Sequence, residues 1–229
     1  MAVRCARIAD GILDRTVTPD GRELVLHHRD GVFTVRIDGR EVISSRGRGS
    51  EEALADLACR HLAGVTAPQV LVGGLGIGYT LRAALDRLPR RAEVTVVELF
   101  TRVVRWNRSL LGALVGYPLD DPRVTVALGD VYEVVASERG RFDAILLDVD
   151  NGPDAMVVSE NRRLYDSGGL ARMRSSLAPS GVLAVWSAAA APEFAGRLGA
   201  AGFTVEPVTV PVVGTASHTV YLARSGRSV

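Results

Sequence analysis

Two different periods of hydrophobic and polar residues divide the chain. Over residues 10–46 the two kinds alternate. The runs Glu23–His28, Val32–Ile37 and Glu41–Ser44 each place successive side chains on opposite faces, the pattern of half-buried strands. Asp20-Gly21, Asp30-Gly31 and Asp38-Gly39 punctuate them. Both residues of an Asp-Gly pair tolerate positive φ, so each pair predicts a hairpin turn. The expected product is a small β meander, too short to be self-sufficient, packed on the main domain or on a second subunit. Arg46–Gly49 is a basic, glycine-rich break. Ser50-Glu51-Glu52 predicts a helix from Glu51 to Leu62, with Ser50 as N-cap and acids in the first turn.

From residue 69 the pattern changes. Short, continuous apolar runs alternate with helix-forming segments. Strands are expected at Val70–Val72, Val94–Leu99, Val124–Leu128, Phe142–Asp148 and Val182–Trp186. Helices are expected at Tyr79–Leu88, Thr101–Leu114, Val131–Ser137, Gly169–Leu177 (ended by Pro179-Ser180-Gly181) and Pro192–Ala201. Phe203–Val208 and Thr219–Ala223 close the chain as two strands joined by a loop, so one of them is expected to run antiparallel. Continuously apolar strands between helices predict an α/β fold with a doubly wound, mainly parallel, seven-stranded Rossmann-like sheet. The expected division is a meander at 1–48 and the α/β domain at 49–229.

Composition adjusts this picture only slightly. The 229 residues are 47% hydrophobic, enough for one sizeable core and a small extra element. A net charge of +1 gives no electrostatic case for nucleic acid or an anionic membrane. All 27 basic residues are arginines, a signature of base composition rather than of a task. Cys5 and Cys59 stand alone, without metal spacing, and read as reduced small hydrophobes. His27 and His28 are neighbours on one expected strand and so point to opposite faces, which gives no metal site. There is no 18-residue apolar run and no long apolar leader. A cytoplasmic protein without membrane partner or metal is the expectation.

Candidate chemistry gathers where an open α/β sheet binds ligands, beyond the carboxyl ends of its strands. After the first strand comes Gly73-Gly74-Leu75-Gly76-Ile77-Gly78, a turn whose backbone N–H groups can approach a ligand closely. After the second comes Glu98, about twenty residues on, where nucleoside binders place an acid on ribose hydroxyls. After the third comes Gly129-Asp130, where Asp130 also suits a helix N-cap. After the fourth comes Asp148-Val149-Asp150-Asn151-Gly152-Pro153. Acids alternating in such a turn are costly to hold without a cation or a proton role. The glycines read Gly-x-Gly-x-Gly rather than Gly-x-Gly-x-x-Gly. That favours an adenosyl sulfonium over a dinucleotide, since no phosphate then needs cradling and an acidic pocket complements the cation.

These residues carry a family resemblance. From about Val32 to Arg224 the chain resembles the spermidine synthase (polyamine aminopropyltransferase) family, which has the class I S-adenosylmethionine-dependent methyltransferase fold. The family's VLVIGGGDGGTLR is matched by Val70-Leu71-Val72-Gly73-Gly74-Leu75-Gly76-Ile77-Gly78-Tyr79-Thr80-Leu81-Arg82. Val96-Val97-Glu98-Leu99, Asp121-Pro122-Arg123-Val124, Gly129-Asp130, the Asp148–Pro153 turn, Leu164-Tyr165 and Leu177–Leu183 continue the match. The resemblance implies that Gly74, Gly76 and Gly78 line a nucleoside pocket. It implies Glu98 at the ribose and Asp130 with the Val131 amide at adenine, with Leu99 and Gly129 among the residues that bind the co-substrate. Asp148 and Asp150 would be the catalytic acids, with Asp148 deprotonating an amine acceptor. Glu51, Ile77 and Asn151 would lie on the substrate side. The implied co-substrate is S-adenosylmethionine or its decarboxylated form, and by analogy with the family the chain would form a homodimer.

Departures from the family pattern cluster on the acceptor side. Ile77 replaces the acid of GGGDGG that meets the donor's amino end. The Tyr-Gln/His-Glu of the preceding helix reads Ser50-Glu51-Glu52, the second acid of Asp-Ser-Ser-Asp is shifted to Asp150, and Val212–His218 lacks the closing aromatic loop. Aminopropyl transfer to an amine is the first reading and small-molecule methyl transfer the alternative. A non-catalytic nucleoside-binding protein is a third, against which the retained Asp148 and Asp150 speak.

Overall fold

A computed structural model describes residues 8–18, 20–149, 151–153, 161–212 and 217–226; Cys5 lies outside them. The chain divides into two compact units between Arg46 and Gly47. The first holds four antiparallel strands in sequence order: β1 (Gly11–Val17), β2 (Glu23–Arg29), β3 (Val32–Ile37) and β4 (Arg40–Ser44). Two of its turns take the geometry that Asp-Gly predicts, with positive φ at Asp30 and Gly31 and at Asp38 and Gly39. The third turn is built differently. Thr18 Oγ1 accepts from the Arg22 amide at 3.0 Å and also pairs with the Asp20 carboxylate. Leu24, Leu26, Phe33, Val35 and Ile37 form the buried face.

The second unit is a seven-stranded sheet between two layers of helices. Its elements are α1 (Gly49–Arg60), β5 (Gln69–Gly73), α2 (Tyr79–Arg87), β6 (Glu93–Glu98), α3 (Thr101–Asn107), β7 (Val124–Leu128), α4 (Val131–Ser137), β8 (Phe142–Leu147), α5 (Arg162–Tyr165), α6 (Ser167–Ser176), β9 (Leu177–Ser187), α7 (Pro192–Ala200), β10 (Phe203–Pro211) and β11 (Ser217–Ser225). The strand order is β10-β11-β9-β8-β5-β6-β7. β5, β6, β7, β8 and β9 pair in parallel, whereas β11 runs antiparallel to both β9 and β10. The antiparallel member expected in the final pair is therefore β11. Order reverses at β5, so the β5–β6 and β5–β8 clefts open at the switch point of the sheet. One face buries Leu71, Phe142, Ile145, Leu147, Leu170 and Phe194. On the other, α1 packs against α2 and over β8, β9 and β11.

Several expected boundaries move. Thr101–Leu114 is not one helix: α3 stops at Asn107, and a 3-10 turn follows at Gly112–Leu114. A Cβ on Gly112 would lie 2.1 Å from the Asn107 carbonyl oxygen, so the chain turns where only glycine fits. Ser50 is not the N-cap of α1. Arg48 holds that position without a side-chain cap, and Ser50 sits inside the first turn, 2% exposed. Asp166 rather than Gly169 opens α6, accepting from the Gly169 amide at 2.8 Å. β9 begins at Leu177, running through Pro179-Ser180-Gly181 with a register shift against β8 and positive φ at Ser180.

Candidate active site

The glycine turn leaves β5 in a cramped space. Gly74 has φ +88, and a Cβ there would stand 2.2 Å from the carbonyl oxygen of Asp148 on the neighbouring strand. The Gly74 amide donates to Val97 O at 2.9 Å and the Asp148 amide to Gly73 O at 2.8 Å, stitching three strand ends together. Gly76 and Gly78 also have positive φ, and Gly78 caps α2. Ile77 between them is buried. Asn107, wholly buried, clamps the turn from α3. Its Nδ2 donates to Gly76 O at 2.9 Å and to Val103 O at 3.1 Å. Asn107→Leu is expected to lower stability by about 1–3 kcal/mol, because two carbonyls lose a buried donor. Urea unfolding of the variant measures this.

Glu98 ends β6 with its carboxylate folded into the turn. Oε2 accepts from the Leu75 amide at 3.1 Å and Oε1 from the Phe100 amide at 2.8 Å. Burial pushes its pKa up, and these amides act in the opposite direction. Leu99, the next residue, is 44% exposed, and Leu128 at the end of β7 is 57% exposed. Gly129 donates its amide to Glu98 O at 3.0 Å. Asp130 does act as the N-cap of α4: Oδ1 accepts from the Tyr132 amide at 2.7 Å. Its Oδ2 accepts from Arg163 at 2.8 Å, and Arg163 also pairs with Glu133 and lies over the Tyr132 ring. Val131 is buried with its Cγ2 against Gly73.

Asp148 follows β8 and stands beside the glycine turn, partly exposed. Thr80 Oγ1, in the first turn of α2, donates to Asp148 Oδ2 at 2.6 Å. Burial pushes the Asp148 carboxyl up to about 7. The negative Glu51 adds to the rise and the Thr80 hydrogen bond opposes it. Asp150 lies outside the described residues. Asn151 accepts from the Ala188 amide at 3.2 Å, and Gly152, φ +93, packs so closely on Ser187 that a Cβ would lie 2.7 Å away. Glu51 lies in the first turn of α1 and accepts from Ser50 Oγ at 2.6 Å. The structure thus brings Gly74, Gly76, Gly78, Glu98, Gly129, Asp130, Asp148 and Glu51 to one end of the sheet, their strands and helix N-termini sharing that edge. Among the described residues no group of three or more His, Cys, Asp or Glu could hold a metal ion, and no helix is long and apolar enough to cross a membrane.

Thr80, Asn107, Arg163 and His218 escape the sequence reading. Only Thr80 carried a signal, as the second residue of the helix that follows the glycines. The others reach the site through tertiary register.

A seven-stranded sheet with its last strand antiparallel, a glycine turn at the switch point and acids at the next strand ends defines the class I methyltransferase fold. The spermidine synthase from Thermotoga maritima superposes on 95% of this chain and 74% of its own, with a TM-score of 0.74 at 16% identity, a likeness in fold alone. The spermine/spermidine synthase domain model matches residues 51–192. The chain belongs to that family, within the aminopropyltransferase and methyltransferase superfamily of transferases. It is 31% identical over 114 residues to the polyamine aminopropyltransferase of Sulfolobus acidocaldarius, covering 50% of this chain and 36% of that protein. It is 34% identical over 122 residues to that of Mycobacterium tuberculosis, covering 52% and 22%. The chain matches well under half the length of these curated relatives.

Proposed function

We propose that this chain binds an adenosyl sulfonium, S-adenosylmethionine or its decarboxylated form, and transfers an alkyl group to a small amine, with an aminopropyl group as the first reading. Asp148 carries the proposal: a carboxyl held by Thr80 beside the glycine turn, with its proton affinity raised to about 7. An alkylamine is protonated near neutral pH and is not nucleophilic. A base poised near 7 is suited to remove that proton. The donor half fits a nucleoside. Glu98 stands beside the turn for the ribose, Leu99 and Leu128 offer apolar surface for a flat base, and Asp130 retains lone pairs for an amine donor.

When bound, the sulfonium supplies a carbon activated by positive sulfur. Asp148 takes the ammonium proton. The freed nitrogen lone pair then forms the N–C bond while the C–S bond breaks, and its electron pair stays on sulfur as a neutral thioether. Glu98, the glycine turn and Asp148 contribute mainly position, which dominates an in-line displacement. The names of the relatives from Sulfolobus and Mycobacterium support the aminopropyl reading. Methyl transfer is the second reading, favoured by one observation: Ile77 is buried and apolar, leaving no carboxylate there for the amino end of a decarboxylated donor.

The co-product separates the two. With the decarboxylated donor and a panel of short amines, aminopropyl transfer releases 5′-methylthioadenosine. Methyl transfer from S-adenosylmethionine releases S-adenosylhomocysteine. Mass spectrometry is expected to find the first; the second alone would reverse the order of the readings, and neither would overturn the proposal. In either case kcat/KM is expected to rise with pH through about 7 as Asp148 loses its proton. A rate independent of pH between 5 and 8 would remove Asp148 as the base.

A further inference from the structure

Between β8 and α6 the chain brings one cation to the donor side of the sheet. α5 is a single helical turn. Leu164 and Tyr165 are buried in the core, and the Tyr165 ring meets Phe194 edge-on at 5.6 Å. The Tyr165 hydroxyl donates to Val149 O at 3.3 Å. Gly169 of α6 backs the turn so closely that a Cβ there would stand 2.1 Å from Arg163 O. With its neighbours pinned in this way, Arg163 is left on the open side, its side chain 42% exposed.

An exposed arginine ordinarily samples many rotamers. Arg163 is held from three directions. Its Nη2 donates to Asp130 Oδ2 at 2.8 Å, and its Nη1 lies 3.0 Å from Glu133 Oε1. The guanidinium carbon stands 4.3 Å from the centre of the Tyr132 ring. The Tyr132 hydroxyl is fixed in turn, accepting from Arg172 Nε at 2.9 Å. A planar fork that bridges two carboxylates while stacking on a ring has little freedom left. The consequence falls on Asp130. Capping α4 needs only Oδ1, which accepts from the Tyr132 amide at 2.7 Å. With Oδ2 held as well, the carboxylate cannot turn about its Cβ–Cγ bond. The lone pair that remains on each oxygen therefore has a fixed direction.

We propose that Arg163 is a positioning residue for the donor's base: it aims Asp130 at an exocyclic amino group and so makes the site select a 6-aminopurine over a 6-oxopurine. The proposal rests on the donor reading, in which Asp130 meets adenine, and adds the group that orients it. Arg163 stands outside the segments that match the family's motifs. Losing the guanidinium has two opposed effects. An Asp130 without its counter-ion attracts an amino N–H more strongly, but an ion pair this exposed is screened and weak. A carboxylate free to rotate forfeits an aligned, charge-assisted hydrogen bond to the amino group and can turn away from a carbonyl. The loss of alignment is the larger effect, so without Arg163 the two bases bind more alike.

Calorimetric titration of the intact chain with 5′-methylthioadenosine and 5′-methylthioinosine tests this. The parent is expected to bind the first at least tenfold more tightly. Arg163→Met keeps an apolar cover on Tyr132 and is expected to shrink that ratio at least fivefold. Arg163→Lys, a point charge without the fork, is expected to shrink it at least threefold and serves if the methionine variant fails to fold. In an Asp130→Asn background the Arg163→Met change is expected to alter the ratio less than twofold, because Arg163 acts through Asp130. A merely structural role in holding α4 would weaken both nucleosides equally and leave every ratio unchanged. The proposal is overturned by a parent that binds the two nucleosides equally, by folded variants that keep the parent's ratio, or by an undiminished effect of Arg163→Met when Asp130 is absent. Failure of both nucleosides to bind the parent overturns the donor reading, and the proposal with it.

Discussion

Asp148→Asn is expected to reduce transfer by about 10²–10⁴-fold, the usual contribution of a positioned base, while making the protein more stable at pH 8. The two effects have one cause. Folded, Asp148 holds its proton up to about pH 7; unfolded, a carboxyl of this type holds it only to about pH 4. Between those values the folded form binds the extra proton, so stability falls as pH rises through the window. Asparagine is neutral throughout and still accepts from Thr80. The variant is expected to gain up to about 4 kcal/mol at pH 8 and nothing near pH 4. Steady-state rates and urea unfolding at the two pH values provide the check. A rate close to that of the parent would remove Asp148 from the mechanism. An equal effect on stability at both pH values would show that its carboxyl is not held protonated by the fold.

Gly74→Ala is expected to cost about 2–5 kcal/mol and to abolish nucleoside binding. A left-handed backbone penalises any side chain, and here the added methyl would meet the Asp148 carbonyl oxygen at 2.2 Å. A backbone oxygen cannot swing aside as a side-chain tip can, so β5 and β8 must separate at the site. Gly140→Ala is the control. Gly140 also has positive φ, at +58, but nothing lies within 4 Å of its Cβ position. It is expected to cost only about 1 kcal/mol. Similar losses for the two variants in urea unfolding would show that the close approach at Gly74 is not what holds the strand ends together.

Much of the fold was legible because its signals are local. Val70–Val72 and Ala144–Leu147 are continuous apolar runs and became the central strands β5 and β8, while Val124–Leu128, interrupted by Thr125, became the edge strand β7. The glycine turn announced itself, as did Glu98 and Asp148 at neighbouring strand ends. The helix after β6 is shorter than its apolar pattern, which runs on past Asn107, because the chain folds back on the helix end at Gly112, where only glycine fits against the Asn107 carbonyl. Ser50 was misjudged for the opposite reason. A serine before two acids is a good local cap, but its hydroxyl is engaged by Glu51 and His218 instead. Asp130 fulfilled both its local role, capping α4, and a non-local one, pairing with Arg163. The contact of His218 with Ser50 depends on β11 reversing direction beside β9. Periodicity announces a strand but not the strand it will lie against.

Binding of an adenosyl sulfonium by the intact chain underlies every step from Glu98 to Asp148, and calorimetric titration measures it without knowledge of the acceptor. S-adenosylmethionine, its decarboxylated form and 5′-methylthioadenosine are titrated in turn. At least one is expected to bind with one-to-one stoichiometry, and the decarboxylated donor is expected to bind more tightly than S-adenosylmethionine. Tighter binding of S-adenosylmethionine would contradict the aminopropyl reading, and failure of all three to bind would contradict both transferase readings.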